Sequence, residues 1–233
     1  MKRILIVALL ALTVLSCEKN TENTMTVSGN IKGLKKGTLF LQHFRDSSLV
    51  VLDSLNIEGD GNFSFSEVVE DPDIFYLYLD KEDKNDVNDR IMFFGEAGQI
   101  TINTSWNAFD KNPEILGSES HKKLAEFSAM LSKFNLRDLT LMQEASQPEY
   151  LENEEALDSL QRLADQNLIN RYRYVLNFGL NNGDSYATPY IMMMEAQEAN
   201  PKYLDSVYGK LSPEVAESKY GKALQELLKS RND

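Results

Sequence analysis

The two histidines are the first candidates for metal chemistry in this sequence. Histidine nitrogens bind zinc when other histidines, cysteines or carboxylates complete a tetrahedral shell. His43 lies at the end of a predicted strand, and His121 lies in the first turn of a predicted helix. Neither belongs to a motif with ligand spacing, so we predict surface roles for both and keep a shared metal site as the alternative. The sequence therefore predicts no metal site and no bound cofactor.

Two further segments contain ligand-type side chains without the spacing that a site requires. The acidic stretch from Asp80 to Asp89 fails the helical-loop calcium template, because positions six and twelve counted from Asp83 are Asn88 and Phe94. We interpret it as a solvated hairpin loop, with loose cation binding as the alternative. On a helix, the consecutive residues Met192–Met194 point about 100° apart and cannot converge on one copper ion. We expect them to fill the core.

Serine and carboxylate catalysis have no marked candidates. The sequence contains neither a Gly-x-Ser-x-Gly elbow nor a phosphate-binding loop. We predict that Ser118 and Ser120, which flank a helix start beside His121, act as helix caps. In residues 171–174, Arg-Tyr-Arg-Tyr, we expect buried tyrosines to alternate with exposed arginines. No spacing singles out a carboxylate pair for glycoside cleavage, so a carboxylate-based hydrolase stays a third hypothesis for function.

Cys17 is the residue whose chemistry the sequence marks most clearly. Met1-Lys2-Arg3 is basic, and the apolar run Ile4–Leu15 is too short for the roughly 20 residues that span a bilayer. The following Ser16-Cys17 completes a pattern that resembles a bacterial lipobox, in which the cysteine thiol accepts the diacylglyceryl group. We predict a signal peptide over 1–16, lipidation at Cys17 and a flexible tether over 17–24. An ordinary secretory signal with an incidental cysteine is the alternative.

The cysteine count and the net charge limit the classes of partner that this chain can bind. Cys17 is the only cysteine, so we expect no disulfide and no free thiol after lipidation. Loss of Lys2 and Arg3 with the signal leaves 22 basic and 36 acidic residues, a net charge of −14 over residues 17–233. A surface this acidic repels phosphate backbones, so we expect no nucleic-acid partner. We expect membrane contact through the lipid alone, in the cell envelope on the outer membrane, with the periplasmic and surface faces both open.

The chain divides into two halves with different hydrophobic periods. From Met25 to about Trp106, apolar residues recur every second position in about seven short runs separated by glycine and proline turns. Phe63 and Phe65 illustrate this alternation, and we expect both to be buried on one face. We therefore predict an α+β fold with an antiparallel β-sandwich or barrel-like lobe over 25–110.

The second half has helical spacing, and we predict an α-helical lobe over 111–233. A long helix is predicted over 152–178 with Leu168 among its inward residues and Gly179 at its end. Three more helix starts are predicted where a cap residue precedes proline, at 188–189, 200–201 and 212–213. The change from strands to helices is expected between about Trp106 and Ser118.

Several glycine-containing motifs carry a resemblance to a known family. These are residues 27–31 (Val-Ser-Gly-Asn-Ile), 37–41 (Gly-Thr-Leu-Phe-Leu), 61–65 (Gly-Asn-Phe-Ser-Phe), 96–100 (Glu-Ala-Gly-Gln-Ile) and 115–118 (Ile-Leu-Gly-Ser). They are similar to an uncharacterised β-rich domain of unknown function from Bacteroidetes lipoproteins, which usually precedes a thioredoxin-like thiol–disulfide reductase domain. The helical part, notably 211–213 and 218–222, resembles the connecting region of that family.

The resemblance implies an association with thiol–disulfide chemistry, but this chain departs from the pattern. It contains no Cys-x-x-Cys, and thiol–disulfide exchange needs a thiolate. We therefore expect no reductase activity and interpret the chain as a non-catalytic binding or assembly module of the envelope. The alternative is an accessory half of a thiol–disulfide system that docks a separate thioredoxin-like partner.

Overall fold

The structure is a computed structural model and describes residues 23–45, 48–81 and 89–232. Cys17 and the predicted signal over 1–16 lie outside the described residues, and so does most of the predicted tether. Residues 82–88, which hold most of the acidic stretch between Asp80 and Asp89, also lie outside them.

Within the described residues, eight strands form two four-stranded sheets, ordered β4-β1-β7-β8 and β3-β2-β5-β6. We call these the first and second sheets, and together the β-lobe. Their alternating apolar residues face each other across the sandwich, as period-two sequences do. The strands are β1 (Thr24–Lys32), β2 (Lys36–Arg45), β3 (Ser48–Glu58), β4 (Asn62–Val68), β5 (Asp73–Asp80), β6 (Arg90–Gly95), β7 (Gly98–Ser105) and β8 (Glu114–Leu116).

One strand pair departs from the antiparallel expectation. β1 and β7 run parallel, with Val27 opposite Ile100, whereas the other five pairs are antiparallel. A parallel pair requires a long crossover connection. Here the chain between them builds β4 and the whole second sheet, so the pair joins the start of the β-lobe to its end.

The sandwich core lies between the sheets. Phe63 and Phe65 are both buried there, which confirms the prediction for this strand. Leu39 and Leu41 of β2 meet the alternating side chains of β5 in the same core. Burial of these apolar surfaces is the main favourable term in the stability of the β-lobe.

Seven α-helices follow the strands and form the helical lobe, which confirms the predicted α+β class. The last strand, β8, lies beyond residue 110, and the first long helix begins at Glu119. A 3₁₀ turn, Trp106–Ala108, precedes β8. The helices are α1 (Glu119–Ala145), α2 (Pro148–Leu151), α3 (Glu154–Asn181), α4 (Ala187–Glu195), α5 (Pro201–Tyr208), α6 (Pro213–Glu217) and α7 (Lys219–Asn232).

Most predicted helix starts are confirmed by side-chain caps. Ser118, Asn200 and Ser212 each accept a hydrogen bond from a backbone N–H in the first turn of their helix. The start predicted at Thr188 is wrong, because α4 begins at Ala187 and the Thr188 hydroxyl instead donates to the Asn182 carbonyl. The predicted cap-and-proline pattern therefore holds at two of its three positions.

Helix α3 also corrects two details of the expectation. Gly179 lies inside α3, which ends at Asn181, and not after the helix. Glycine is favoured at this position because α5 packs closely on it, and a Cβ would come within 2.7 Å of Val207. Leu168 is 45% exposed, so its predicted inward position is wrong.

The helical lobe packs on the outer face of the second sheet and makes the molecule three layers deep. Ile74 of β5 and Phe94 of β6 point away from the sandwich core into the core of the helices. The ring centroids of Phe94 and Tyr190 are 5.9 Å apart, and the two rings meet edge to face. Within the described ranges, no helix combines the length and apolar character needed to cross a membrane.

Candidate functional site

A buried carboxylate at the start of β5 joins the two lobes. Asp73 Oδ2 accepts hydrogen bonds from His43 Nε2 of β2 at 2.7 Å and from Lys219 Nζ of α7 at 2.5 Å. Asp73 Oδ1 accepts from the Tyr220 hydroxyl at 2.5 Å and from the Ile74 backbone N–H at 2.7 Å. We call these side chains the Asp73 junction.

The Asp73 carboxylate is fully engaged in this junction. A carboxylate offers about four acceptor positions, and all four are used here. Burial opposes ionisation of Asp73, but the hydrogen bonds from His43, Lys219, Tyr220 and the Ile74 N–H outweigh it and lower the pKa of Asp73 to about 2. Burial and the hydrogen bond to Asp73 raise the pKa of Tyr220, which therefore remains a donor. An acid–base catalyst near neutral pH needs a pKa near the working pH, which Asp73 lacks.

His43 is a member of this junction and not a surface residue. Its side chain is 15% exposed, and its ring stacks on Phe75 at 4.5 Å between centroids. The predicted surface role is wrong, because β2 pairs His43 with Phe75 and brings it beside Asp73. An open cleft of about 630 Å³ lies next to the junction, lined in part by Arg45 and Asp71.

His121 belongs to a second contact between the lobes. Its Nδ1 accepts a hydrogen bond from the Phe94 backbone N–H at 3.3 Å. Burial lowers the pKa of His121, against the opposing effect of Glu96, so the neutral acceptor form is favoured. Its predicted surface role is therefore also wrong. Glu96 accepts from the Ser120 N–H and hydroxyl, and Ser118 caps α1, so both serines act at the helix start.

The two histidines are engaged in separate contacts. Across the described ranges, no group of three histidine, cysteine, aspartate or glutamate side chains is arranged to hold a metal ion. The methionine run behaves only partly as expected, since Met192 is fully buried and Met194 is 53% exposed. Arg171 was expected to be exposed, but it is half-buried and forms an ion pair with Glu195 of α4.

A second candidate site lies far along the two longest helices. α1 and α3 pack as an antiparallel hairpin, each about 40 Å long. Near the body of the protein they join the helical core through Phe127 and Val175. Beyond Phe134, their only buried apolar side chains are Leu141 and Leu160, and neither belongs to the two main cores. The outer half of the hairpin is therefore a two-helix arm.

The end of this arm combines apolar surface with negative charge. Residues 138–161, which we call the hairpin tip, contain seven acidic residues and no basic ones. Met142 is 69% exposed and Leu151 is 62% exposed, although both are apolar. A groove of about 590 Å³ runs between the helices here and we call it the tip groove. It is lined by apolar Leu141, Met142, Ala145, Leu157, Leu160 and Ala164 and by polar Asp138, Glu154, Asp158 and Gln161.

Comparison with known proteins gives one similarity. A family model described as "Domain of unknown function (DUF4369)" matches residues 25–124. No curated protein and no solved structure matches the chain. The matched segment contains His43, Asp73 and His121, whereas Lys219 and the hairpin tip lie outside it. The match thus covers the β-lobe and the start of α1, and supports an uncharacterised domain there.

Sequence reasoning missed both the Asp73 junction and the hairpin tip. Asp73 follows Asp71-Pro72 and opens an apolar strand, and an acidic residue next to a buried run is a signal for a paired charge. Its α7 partners lie 146 and 147 residues further along the chain, which no local pattern reveals. The hairpin tip was visible as a run of acids without a base, interrupted by leucines and methionine.

Proposed function

We propose that this protein is a lipid-anchored lipoprotein of the cell envelope that acts as a non-catalytic binding or assembly module. The observation that carries this proposal is the two-helix arm, whose tip groove is apolar and is not covered by the described parts of the chain. An uncovered apolar groove rimmed by polar residues is typical of a protein contact site. The lipobox-like motif at Cys17 supports the anchor.

The hydrogen bonds made by the buried polar groups support a structural role for the contacts between the β-lobe and the helical lobe. Asp73 uses its four acceptor positions, and His121 accepts a backbone N–H through Nδ1. These groups fix the helical lobe against the second sheet. On this proposal the β-lobe is the scaffold that positions the hairpin arm.

Lipidation is tested by the Cys17→Ala substitution. We expect the variant to remain an uncleaved precursor and to incorporate no labelled palmitate, because the thiol is the acyl acceptor. Ser16→Ala is the matched control, since alanine keeps a small residue before the cysteine and should still be labelled. Labelling of Cys17→Ala at the level of the unchanged chain would show that the anchor is not at this residue.

The non-catalytic part is tested with the purified mature chain, residues 17–233. We expect no reduction of insulin disulfides, because lipidation of the only cysteine leaves no thiolate. We also expect no turnover of esterase, glycosidase and phosphatase substrates, with or without chelator. Turnover that follows the protein and disappears when one carboxylate pair is replaced would favour a hydrolase. Capture of a thioredoxin-like protein from the native envelope would favour the accessory-half alternative.

A further inference from the structure

We infer that the tip groove binds a basic amphipathic helix of a partner protein, with its apolar face in the groove and its lysine or arginine side chains against the surrounding carboxylates. This inference rests on the proposed binding function and assigns its surface and the chemistry of its partner. The groove lies between the antiparallel helices α1 and α3. A third helix is the element that fills such a groove by ridge-into-groove packing.

Several large apolar side chains of the hairpin tip are exposed. Met142 lines the groove and is 69% exposed, and Leu139 and Leu151 of the same tip are 51% and 62% exposed. Only Leu141 and Leu160 are buried at this end of the hairpin. Two helices joined through so few buried residues gain little from packing, whereas most helix stability in proteins comes from a packed face. A helix laid over Met142 and Leu157 would supply the missing packing.

The negative charge of the hairpin tip determines which partner it favours. The seven carboxylates of the tip have no basic residue among them in the sequence. Asp158 pairs with Arg162 across an exposed turn, and Asp138 accepts from the Asn167 amide. Glu154 has no cation within ion-pair distance among the described residues. Glu144 lies in the last turn of α1, which contains no basic residue, and a negative charge at a helix C-terminus is unfavourable.

A basic partner removes this repulsion, whereas an acidic or neutral one does not. A second copy of the chain is a poor occupant, since it would place two tips with seven carboxylates each against one another. A partner helix with Leu or Ile on one face and Lys or Arg on the other can pack on the apolar side chains of the groove and pair with the carboxylates around it. The same chemistry would make the association weaken as salt concentration rises.

The test uses the mature chain, residues 17–233, which retains every described residue. The probe is a fluorescent model helix of leucine and lysine with leucine on one face, and its control is a shuffled peptide of identical composition that lacks an apolar face. We expect the amphipathic peptide to bind, to raise the fluorescence anisotropy and to protect the amides of 138–161 from hydrogen exchange. We expect at least tenfold weaker binding of the shuffled peptide.

Matched variants locate the contact. Glu154→Gln with Asp158→Asn should weaken the Kd about tenfold and reduce its salt dependence, because two rim charges are removed. The control pair is Asp205→Asn with Glu226→Gln on α5 and α7, away from the groove. Asp205 has no ion pair with any described residue, and Glu226 pairs with Lys229. Met142→Ser should weaken binding about fivefold, whereas Met194→Ser, at another exposed methionine on α4, should leave it unchanged.

Four outcomes would overturn the inference: no binding, equal binding of the shuffled peptide, equal effects of the two charge-variant pairs, or self-association of the chain that the peptide does not displace. None of these four outcomes would contradict the proposed binding function if a partner protein still co-purifies with the chain from the native envelope. Turnover in the enzyme assays would instead contradict the proposed function whether or not the peptide binds. The two failures are therefore distinguishable.

Discussion

Asp73→Ala is expected to lower the free energy of unfolding by about 3 kcal/mol. The substitution leaves the Tyr220 hydroxyl and the Ile74 N–H buried without an acceptor, which costs about 1–3 kcal/mol for each such group. Lys219 contributes less to the loss because its side chain is 46% exposed and can return to water. Urea unfolding followed by circular dichroism at neutral pH measures the change. Because the junction joins the lobes, a second effect should be loss of a single cooperative transition.

Asp71→Ala is the matched control for this prediction. Asp71 lies two residues before Asp73 and lines the adjacent cleft. Its removal should change the free energy of unfolding by less than about 0.5 kcal/mol. Equal losses for Asp71→Ala and Asp73→Ala would mean that the junction contributes nothing beyond a local effect of charge.

The same carboxylate makes the stability depend on pH in the acid range. The pKa of Asp73 is about 2 when folded, against an ordinary value of 3.8. Between these values the unfolded chain binds more protons, so stability rises with pH there. The contribution, about 2 kcal/mol, is fully present above pH 4 and is lost as the pH falls through 2. In Asp73→Ala, this part of the acid-induced loss should be absent.

The buried face of the strands and several helix starts could be predicted from the sequence, because they depend on residues close together in the chain. Alternation at Phe63 and Phe65 predicts which face is buried, and proline after Asn200 or Ser212 predicts where helices start. Both patterns depend on residues within a few positions of each other. The same local reasoning failed at Leu168, because helical spacing shows that a face is apolar and does not show whether anything covers it.

The contacts between the β-lobe and the helical lobe could not be predicted from the sequence, because they join residues that are distant in the chain. His43 meets Asp73 through strand pairing, and Asp73 meets Tyr220 only after the helical lobe has folded back on the second sheet. Nothing in the sequence near His43 indicates a distant carboxylate partner, so a surface position was predicted. The parallel pairing of β1 with β7 was hidden for the same reason.

Three glycines of the family-like motifs, Gly29, Gly61 and Gly117, lie where two backbone segments approach closely. Gly61, in the motif Gly-Asn-Phe-Ser-Phe, has φ +76°, and a Cβ there would lie 2.3 Å from the Ile31 carbonyl oxygen. The Ile31 N–H also donates to the Gly61 carbonyl at 2.9 Å. This contact closes the turn before β4 against the end of β1, and it fixes the register that buries Phe63. The motif therefore encodes a close approach of two backbone segments.

Gly61→Ala is expected to lower the free energy of unfolding by about 4 kcal/mol. The left-handed backbone contributes about 1–2 kcal/mol of this loss for a residue with a Cβ, and the overlap with a backbone oxygen contributes about 3 kcal/mol, since a backbone atom cannot rotate away. Gly59→Ala separates the two effects, because Gly59 has φ +120° but nothing within 4 Å of its Cβ position. It should lose only about 1–3 kcal/mol in the same urea titration, which is the cost of a strained backbone without the overlap. If both variants lost the same amount, the approach of Gly61 to Ile31 would have no energetic weight, and the turn would require glycine for its φ angle alone.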